Sequence, residues 1–435
     1  MKNTKLIFLF LFSMFFSAQL LAQLSFEKYV LQNVNIVDVN NQNILEDYTL
    51  VIQGNKISKI MPSSEYVPNE NTQSFNFKGK YVLPGLIDAH VHMATDPTME
   101  RRDDAEITLK QMLLSGITSV RDMAGDARAL ASLSRDALVG DIDAPNIYYS
   151  SLMAGTVFFS DPRTIATAQG GVSGQMPYMK AIDDSTNIPL TVAEAKGTGA
   201  HGIKFYANLT GAQMKALAKE AKQQSFPVWA HAALLPTKPS EVIESDIISF
   251  SHASMLVYEK YEGGKNVPPT WFKTDLSKDN SAFWDKEYKQ LNLSGLYQKI
   301  KTQNVVLDAT MSLKPVYENN PKLHWRYEMS KRITRDAKKA GVLVAAGTDS
   351  DQKSFVQEEM KLLVVDCEFT PMEAIIAATK NSAQATGILK SEGTIEEGKS
   401  ANLLILHKNP IEDIENIDTV FKVIKHGKMY DGKYK

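Results

Sequence analysis

The run LPGLIDAHVHMATDP, from Leu83 to Pro97, decides how the chain reads. An apolar stretch leads into two histidines, His90 and His92, spaced two apart. The stretch reads as a strand, and side chains at i and i+2 of a strand point to the same face. Both imidazoles therefore aim at one spot, which is what a borderline transition metal needs. A histidine pair alone is a weak signal. It gains force from the partners that the rest of the chain supplies at intervals.

Working outward, short β-rich runs recur through the middle of the chain, mostly with helical stretches between them. They are GLIDAHVHM (85–93), ITSVRDM (117–123), NIYYSSLM (146–153), GIKFYAN (202–208), PVWAHAA (227–233), IISFSHA (247–253), VVLDATM (305–311) and VLVAAGTDS (342–350). Thr210 with Gln213 predicts a capping box ahead of AQMKALAKEAKQQ, and Thr370, Pro371 and Glu373 predict another ahead of a helix closed by Gly387. Strands and helices alternating in this way predict an α/β fold, a (β/α)8 TIM-type barrel. Two stretches break the rhythm, 154–197 and 254–300, both carrying aromatic residues. They come after candidate strands 3 and 6, so they are either lids over the catalytic face or packed decoration.

From Phe26 to about Pro84, and again from Ala401 to Gly432, apolar and polar residues alternate in short runs broken by turns. The two ends are expected to pair into one small β-sandwich beside the barrel. The division read from the sequence is a signal peptide over 1–22, sandwich over 23–84, barrel over 85–390 and sandwich over 391–435.

With 435 residues, 43% of them hydrophobic, and a net charge of −2, the chain can bury a large core. No basic excess points to nucleic acid. Lys2 and Lys5, the apolar run Leu6 to Phe16, and small or polar residues ending near Ala22 read as a secretory signal. An uncleaved anchor is the rival, because Leu6 to Ala22 carries no charge, but it barely reaches a bilayer span. Cleavage removes two lysines and no acids, taking the charge from −2 to −4. The single cysteine, Cys367, cannot form an internal disulfide. A periplasmic or secreted protein is expected, without stable membrane insertion once the signal is cleaved.

Six residues fall at the carboxyl ends of candidate barrel strands, where active sites of such barrels form: His90, His92, Lys204, His231, His252 and Asp349. In these motifs the chain resembles the amidohydrolase superfamily of barrel metallohydrolases. The marks are the His-x-His of LPGLIDAHVH, the lysine in GIKFY, the histidines in VWAHAA and SFSHAS, and the aspartate in AAGTDS. GITSVRDMAGD and GTIEEGKSANLLIL add to the likeness. Within the superfamily the chain looks most like imidazolonepropionase-related proteins and Xaa-Pro or Xaa-Arg dipeptidases.

That resemblance implies two divalent metal ions, zinc by expectation. His90, His92 and Asp349 would hold one, and His231 and His252 the other. Lys204 would bridge them as a carbamate formed with carbon dioxide. Two cations so bridged depress the pKa of a shared water and give hydroxide at neutral pH. Asp349 beside it would take the proton and pass it to the leaving nitrogen. Tyr206, two residues past Lys204 on the same strand face, is a substrate-binding candidate that also fits barrel packing. Arg101, Arg102, Lys314 and Arg326 are candidates for gripping a carboxylate. Asp88 and Asp122 read as structural, and His201, His324, His407 and His426 lie off the motifs.

Departures from the family narrow the chemistry. Deaminases of the superfamily carry a glutamate three residues past the strand 5 histidine, where this chain has Leu234. Imidazolonepropionase works with one metal and needs no strand 4 lysine, so Lys204 tilts the reading away from it. Ser251 stands before His252, where many relatives carry a glutamate. The expectation is an exported binuclear metal-dependent amidohydrolase that cleaves an amide or peptide bond of a small molecule, a dipeptide or an N-acyl amino acid, by metal-bridged hydroxide attack. The alternatives are a cyclic amidohydrolase or an esterase on the same site, and, from another class, a non-catalytic envelope binding protein. The partner expected is a small-molecule substrate, with a homo-oligomer left open.

Overall fold

Strands come first among the described residues because apolar residues alternate with polar ones and turns break the runs. The computed structural model describes residues 28–94, 99–261, 267–318, 320–349 and 355–432, so the expected signal segment lies outside the described residues. β1 (Lys28–Asp38), β2 (Asn43–Gln53) and β3 (Lys56–Pro62) form an antiparallel meander. β4 (Gln73–Asn76) and β5 (Tyr81–Pro84) then run parallel to β1.

The next strands belong to the barrel: β6 (Leu86–Val91), β7 (Ile117–Asp122) and β8 (Asn146–Gly155). A small hairpin, β9 (Gln175–Met176) and β10 (Met179–Ile182), interrupts and lies against β8. β11 (Gly202–Phe205), β12 (Val228–His231), β13 (Ser249–Ser251), β14 (Val306–Asp308) and β15 (Val344–Ala345) complete the set. Barrel neighbours pair in parallel from β6 to β15. Ala89 N donates to Ala346 O at 3.0 Å and Asp349 N to His90 O at 2.8 Å, which closes the seam between first and last strands. The eight expected strands are these eight. Every residue of β6, β7, β11, β12, β13 and β14 is buried, as strands covered on both faces must be. Both expected capping boxes, at Thr210 and Thr370, are present.

β16 (Leu403–Leu406), β17 (Val420–Lys425) and β18 (Lys428–Asp431) return antiparallel to the first sheet, where β16 pairs with β5. The order is β18-β17-β16-β5-β1-β2-β3, so the amino- and carboxyl-terminal segments pair beside the barrel as the sequence suggested, with the strands of the expected small sandwich joined in one continuous sheet. Its own core gathers Leu31, Ile36, Leu50, Ile52, Leu403 and Ile405.

The two insertions differ. In the second, Trp271 packs against Tyr261, Trp284 and Trp325 with ring centroids 5.5 to 5.8 Å apart, and all four are buried. That stretch mainly packs into the main core. The first insertion instead sends side chains to the carboxyl end of the barrel.

Inside the barrel, Arg121 on β7 is fully buried. Its Nε donates to Ala89 O at 2.6 Å, and Nη1 donates to Ser249 Oγ and Ala385 O, both at 2.7 Å. One guanidinium thus ties β6, β7, β13 and the segment after the last barrel strand. Burial lowers its pKa to about 10, still far above neutrality, so it stays charged. Arg121→Met removes three bonds and strands the buried Asp308 charge nearby, and it should lower unfolding stability by about 3–5 kcal/mol in urea titrations. Arg121→Lys should recover only part, since an ammonium lacks the fork.

Candidate metal centre

The carboxyl ends of β6, β11, β12, β13 and β15 bring the six expected residues around one point. His90 Nε2 and His92 Nε2 each lie 3.1 Å from Asp349 Oδ1. One donor atom from each of these three residues falls within 4.8 Å of the others. His252 Nε2 is 3.1 Å from His231 Nε2, and the His90 and His252 rings are 5.1 Å apart. Lys204 Nζ donates to Met123 O at 2.7 Å.

What each histidine does with its other nitrogen fixes its tautomer. His90 Nδ1 is 2.8 Å from Asp308 Oδ2, and Ser251 Oγ donates to the same oxygen at 2.8 Å. Asp308 is a carboxylate here: burial opposes its charge, but His90, Arg121 and Ser251 outweigh burial and hold its pKa below the usual value. An ionised carboxylate only accepts, so His90 Nδ1 carries a proton and Nε2, facing Asp349, is the nitrogen left for a cation; burial opposes a charge on this ring, but Asp349 and Asp308 raise its pKa. His92 Nδ1 faces Ala124 O at 3.2 Å, a carbonyl that likewise only accepts. Thr310 spends its hydroxyl proton on Ala309 O at 2.8 Å, so it must accept from His252 Nδ1 at 3.0 Å. Three imidazoles therefore spend Nδ1 on fixed acceptors and turn Nε2 toward Asp349 and His231.

Such a set fits cations. His90 Nε2 is buried with no hydrogen-bond partner. Burial, then the charge of neighbours, drives His231 well below the usual imidazole pKa, and burial carries His252 to about 3. Both rings are neutral, and the His252 Nε2 lone pair faces His231 Nε2 across 3.1 Å, a separation that a proton on His231 or a cation between the rings satisfies. Asp349 stays ionised: burial opposes it, but the charge of His90 and the hydrogen bonds from His90 and His92 hold its pKa well below the usual value.

The backbone is strained at this point. His252, Thr310 and Asp349 have φ of 77°, 55° and 51°, and Ala124 has 96°. Non-glycine residues avoid that region and tend to occupy it at functional sites.

A cavity of about 620 Å³ opens over the cluster. His92, Lys204, His231, His252 and Asp349 line its floor, and Tyr206 lines it too, stacked edge-on against His231 at 4.2 Å. Leu152, Met179 and Met255 add apolar surface; Phe158, Arg163 and Thr164 come from the first insertion. Of the four basic candidates for a carboxylate, Arg101 lines the cavity. Arg102 is held by Glu106 and Asp136, Lys314 by Asp366, and Arg326 donates to the Tyr258 hydroxyl at 3.2 Å. Asp88 accepts from His90 N, Thr348 N and Thr348 Oγ1, lacing β6 to the end of the last strand. Leu234 is buried, and none of His201, His324, His407 or His426 borders the cavity among the described residues.

Sequence reading missed Asp308, Arg121 and Arg163. The first two carried a signal, since a charged residue inside an apolar strand run has to find a partner.

Comparison with known proteins agrees with this geometry. The model described as the amidohydrolase family matches residues 81–430. Ochratoxinase of Aspergillus niger is 24% identical over 420 residues, 89% of this chain and 84% of its own length. Its crystal structure superposes with a TM-score of 0.74 at 21% identity, over 94% of this chain and 96% of that one. A Xaa-Pro dipeptidase with methionine bound in its active site gives 0.73 at 22% identity, over 93% of this chain and all of that one. Imidazolonepropionase of Flavobacterium johnsoniae is 37% identical over 91 residues, 20% of this chain and 22% of its own. At these identities the two structures establish a common fold.

Gly347 supplies one local test. A Cβ there would overlap Asp308 Oδ1 and lie 2.7 Å from His90 Cβ. Gly347→Ala should cost about 1–3 kcal/mol in thermal unfolding, since neither neighbour can retreat from the barrel interior.

Proposed function

The chain belongs to the amidohydrolase family, and we propose that it is a metal-dependent hydrolase cleaving an amide or peptide bond of a small molecule, a dipeptide or an N-acyl amino acid. The observation that carries this reading is the set of Nε2 atoms of His90, His92 and His252 turned inward, each ring fixed by an acceptor on Nδ1. His90, His92 and Asp349 would hold one cation, His231 and His252 a second, with zinc the natural choice for imidazole and carboxylate donors. Bound there, the cations would supply Lewis acidity toward a carbonyl oxygen and a water of lowered pKa.

The chain's own groups account for the remaining tasks. Asp349, ionised and beside the cluster, accepts a proton from the attacking water and returns it to the leaving nitrogen. Lys204 can become the bridging carbamate only through its free amine. Burial lowers its pKa to about 8, so about a tenth of it is neutral at pH 7 and open to carbon dioxide. Carboxylation of the neutral amine would release one proton and leave a carbamate, one negative charge spread over two oxygens, which would be an oxygen donor to the cations. The cavity walls position the substrate and limit water. The chain's likeness to a Xaa-Pro dipeptidase and to ochratoxinase supports the substrate class. Export to the periplasm or beyond rests on the amino-terminal sequence alone.

The test is amino-acid release from a panel of dipeptides and N-acyl amino acids by zinc-loaded protein, with metal content measured in parallel. Lys204→Ala should reduce release by roughly 100-fold or more while the barrel stays folded. Release unchanged in that variant would overturn the binuclear reading, and silence from the wild type with two metals bound would redirect it to cyclic amides or esters. Asp308→Ala should weaken metal binding by roughly 10- to 100-fold in chelator competition, because His90 loses the partner that fixes its ring.

A further inference from the structure

Arg163 lies on the cavity wall in the first turn of the helix Pro162–Thr167, within the insertion that comes after β8. Asp161 caps that helix by accepting from Arg163 N at 2.9 Å. The same carboxylate holds one edge of the guanidinium, taking Nε on Oδ1 at 3.0 Å and Nη2 on Oδ2 at 2.7 Å. The fork is therefore aimed by a residue that is itself fixed to the backbone, and the Nη1 edge stays outside the pairing.

The neighbours of Arg163 lead back to the reacting centre. Arg163 and the Tyr206 ring line the same cavity. Tyr206 stacks on His231 at 4.2 Å and on Phe158 at 4.6 Å. His231, Tyr206 and Arg163 thus form a line from the histidine cluster outward, with Phe158, Leu152 and Met179 as apolar surface in the same cavity.

We propose that Arg163, aimed by Asp161 and assisted by the Tyr206 hydroxyl, binds the free carboxylate on the amine half of the substrate. The enzyme then selects amides whose leaving amine is an amino acid with an unblocked carboxyl end and an apolar side chain. This selectivity rests on the amide-hydrolase reading of the same site. The Nη1 edge of a guanidinium matches a carboxylate in two parallel hydrogen bonds, and a fork already held on its other edge loses little freedom on binding. Arg101 adds a further positive charge to the cavity lining. The competing view is that Asp161 and Arg163 are an ordinary surface pair, since the Arg163 side chain is 74% exposed.

The experiment compares N-acetyl-L-phenylalanine with its primary carboxamide, reading acetate release by the full, zinc-loaded chain. The wild type should prefer the acid by roughly 10- to 100-fold in kcat/KM, mostly through KM. Arg163→Met should erase that preference without changing metal content or Tm, and Arg163→Lys should keep part of it. A preference that survives Arg163→Met, or a wild type that cleaves both equally, overturns the proposal and leaves the amidase reading intact. If neither compound is cleaved, the amidase reading fails for this class, and calorimetric binding to an Asp349→Asn background decides the proposal. Acid bound over amide in an Arg163-dependent way upholds it; equal binding, or none, overturns it.

Discussion

A carboxylate with no route to water, Asp308, sets the terms for everything around it. It survives ionised because His90 and Ser251 donate to it and the Arg121 guanidinium stands 3.8 Å away. Those partners come from β6, β13 and β7, so the charge can be satisfied only when the barrel is assembled. In turn, the bond from His90 fixes the ring with its other nitrogen facing Asp349. Removing one member of a buried charged network costs far more than its pairwise energy, because the others are left unpaired in a medium that cannot solvate them.

Backbone strain is also present at the same level of the barrel. Ala124, His252, Thr310 and Asp349 sit where L-residues are disfavoured, at roughly 1–3 kcal/mol each. Two of them, Ala124 and Thr310, are the residues that accept from His92 and His252. The strained turns are thus what aims those acceptors inward. A barrel whose strands are buried on both faces can absorb the strain, and a looser scaffold would relax it away.

Much of this was legible in the sequence. Parallel barrel strands are covered on both sides and so read as short apolar runs, and all eight stand where those runs are. Residues two apart on a strand share a face, which placed His90 beside His92 and Tyr206 beside Lys204. Asp308 was not legible as a partner of His90, since they are far apart in sequence and meet only across the closed barrel. It also resolves the oddity at Ser251: where a glutamate is expected, a short hydroxyl donates to a carboxylate contributed by the next strand. The two insertions look alike in composition, and tertiary contact alone separates the packed aromatic cluster from the stretch that walls the cavity.

The seam between β6 and β15 has a wider consequence. The last strand spans only Val344–Ala345, and a bond sealing it runs from Asp349 N to His90 O, between two of the residues proposed to hold a cation. Closing the barrel and assembling the ligand set are then one event, so binding energy at the centre becomes folding energy for the whole chain. Were the protein exported as proposed, the supply of cations would govern its lifetime against proteases as well as its turnover.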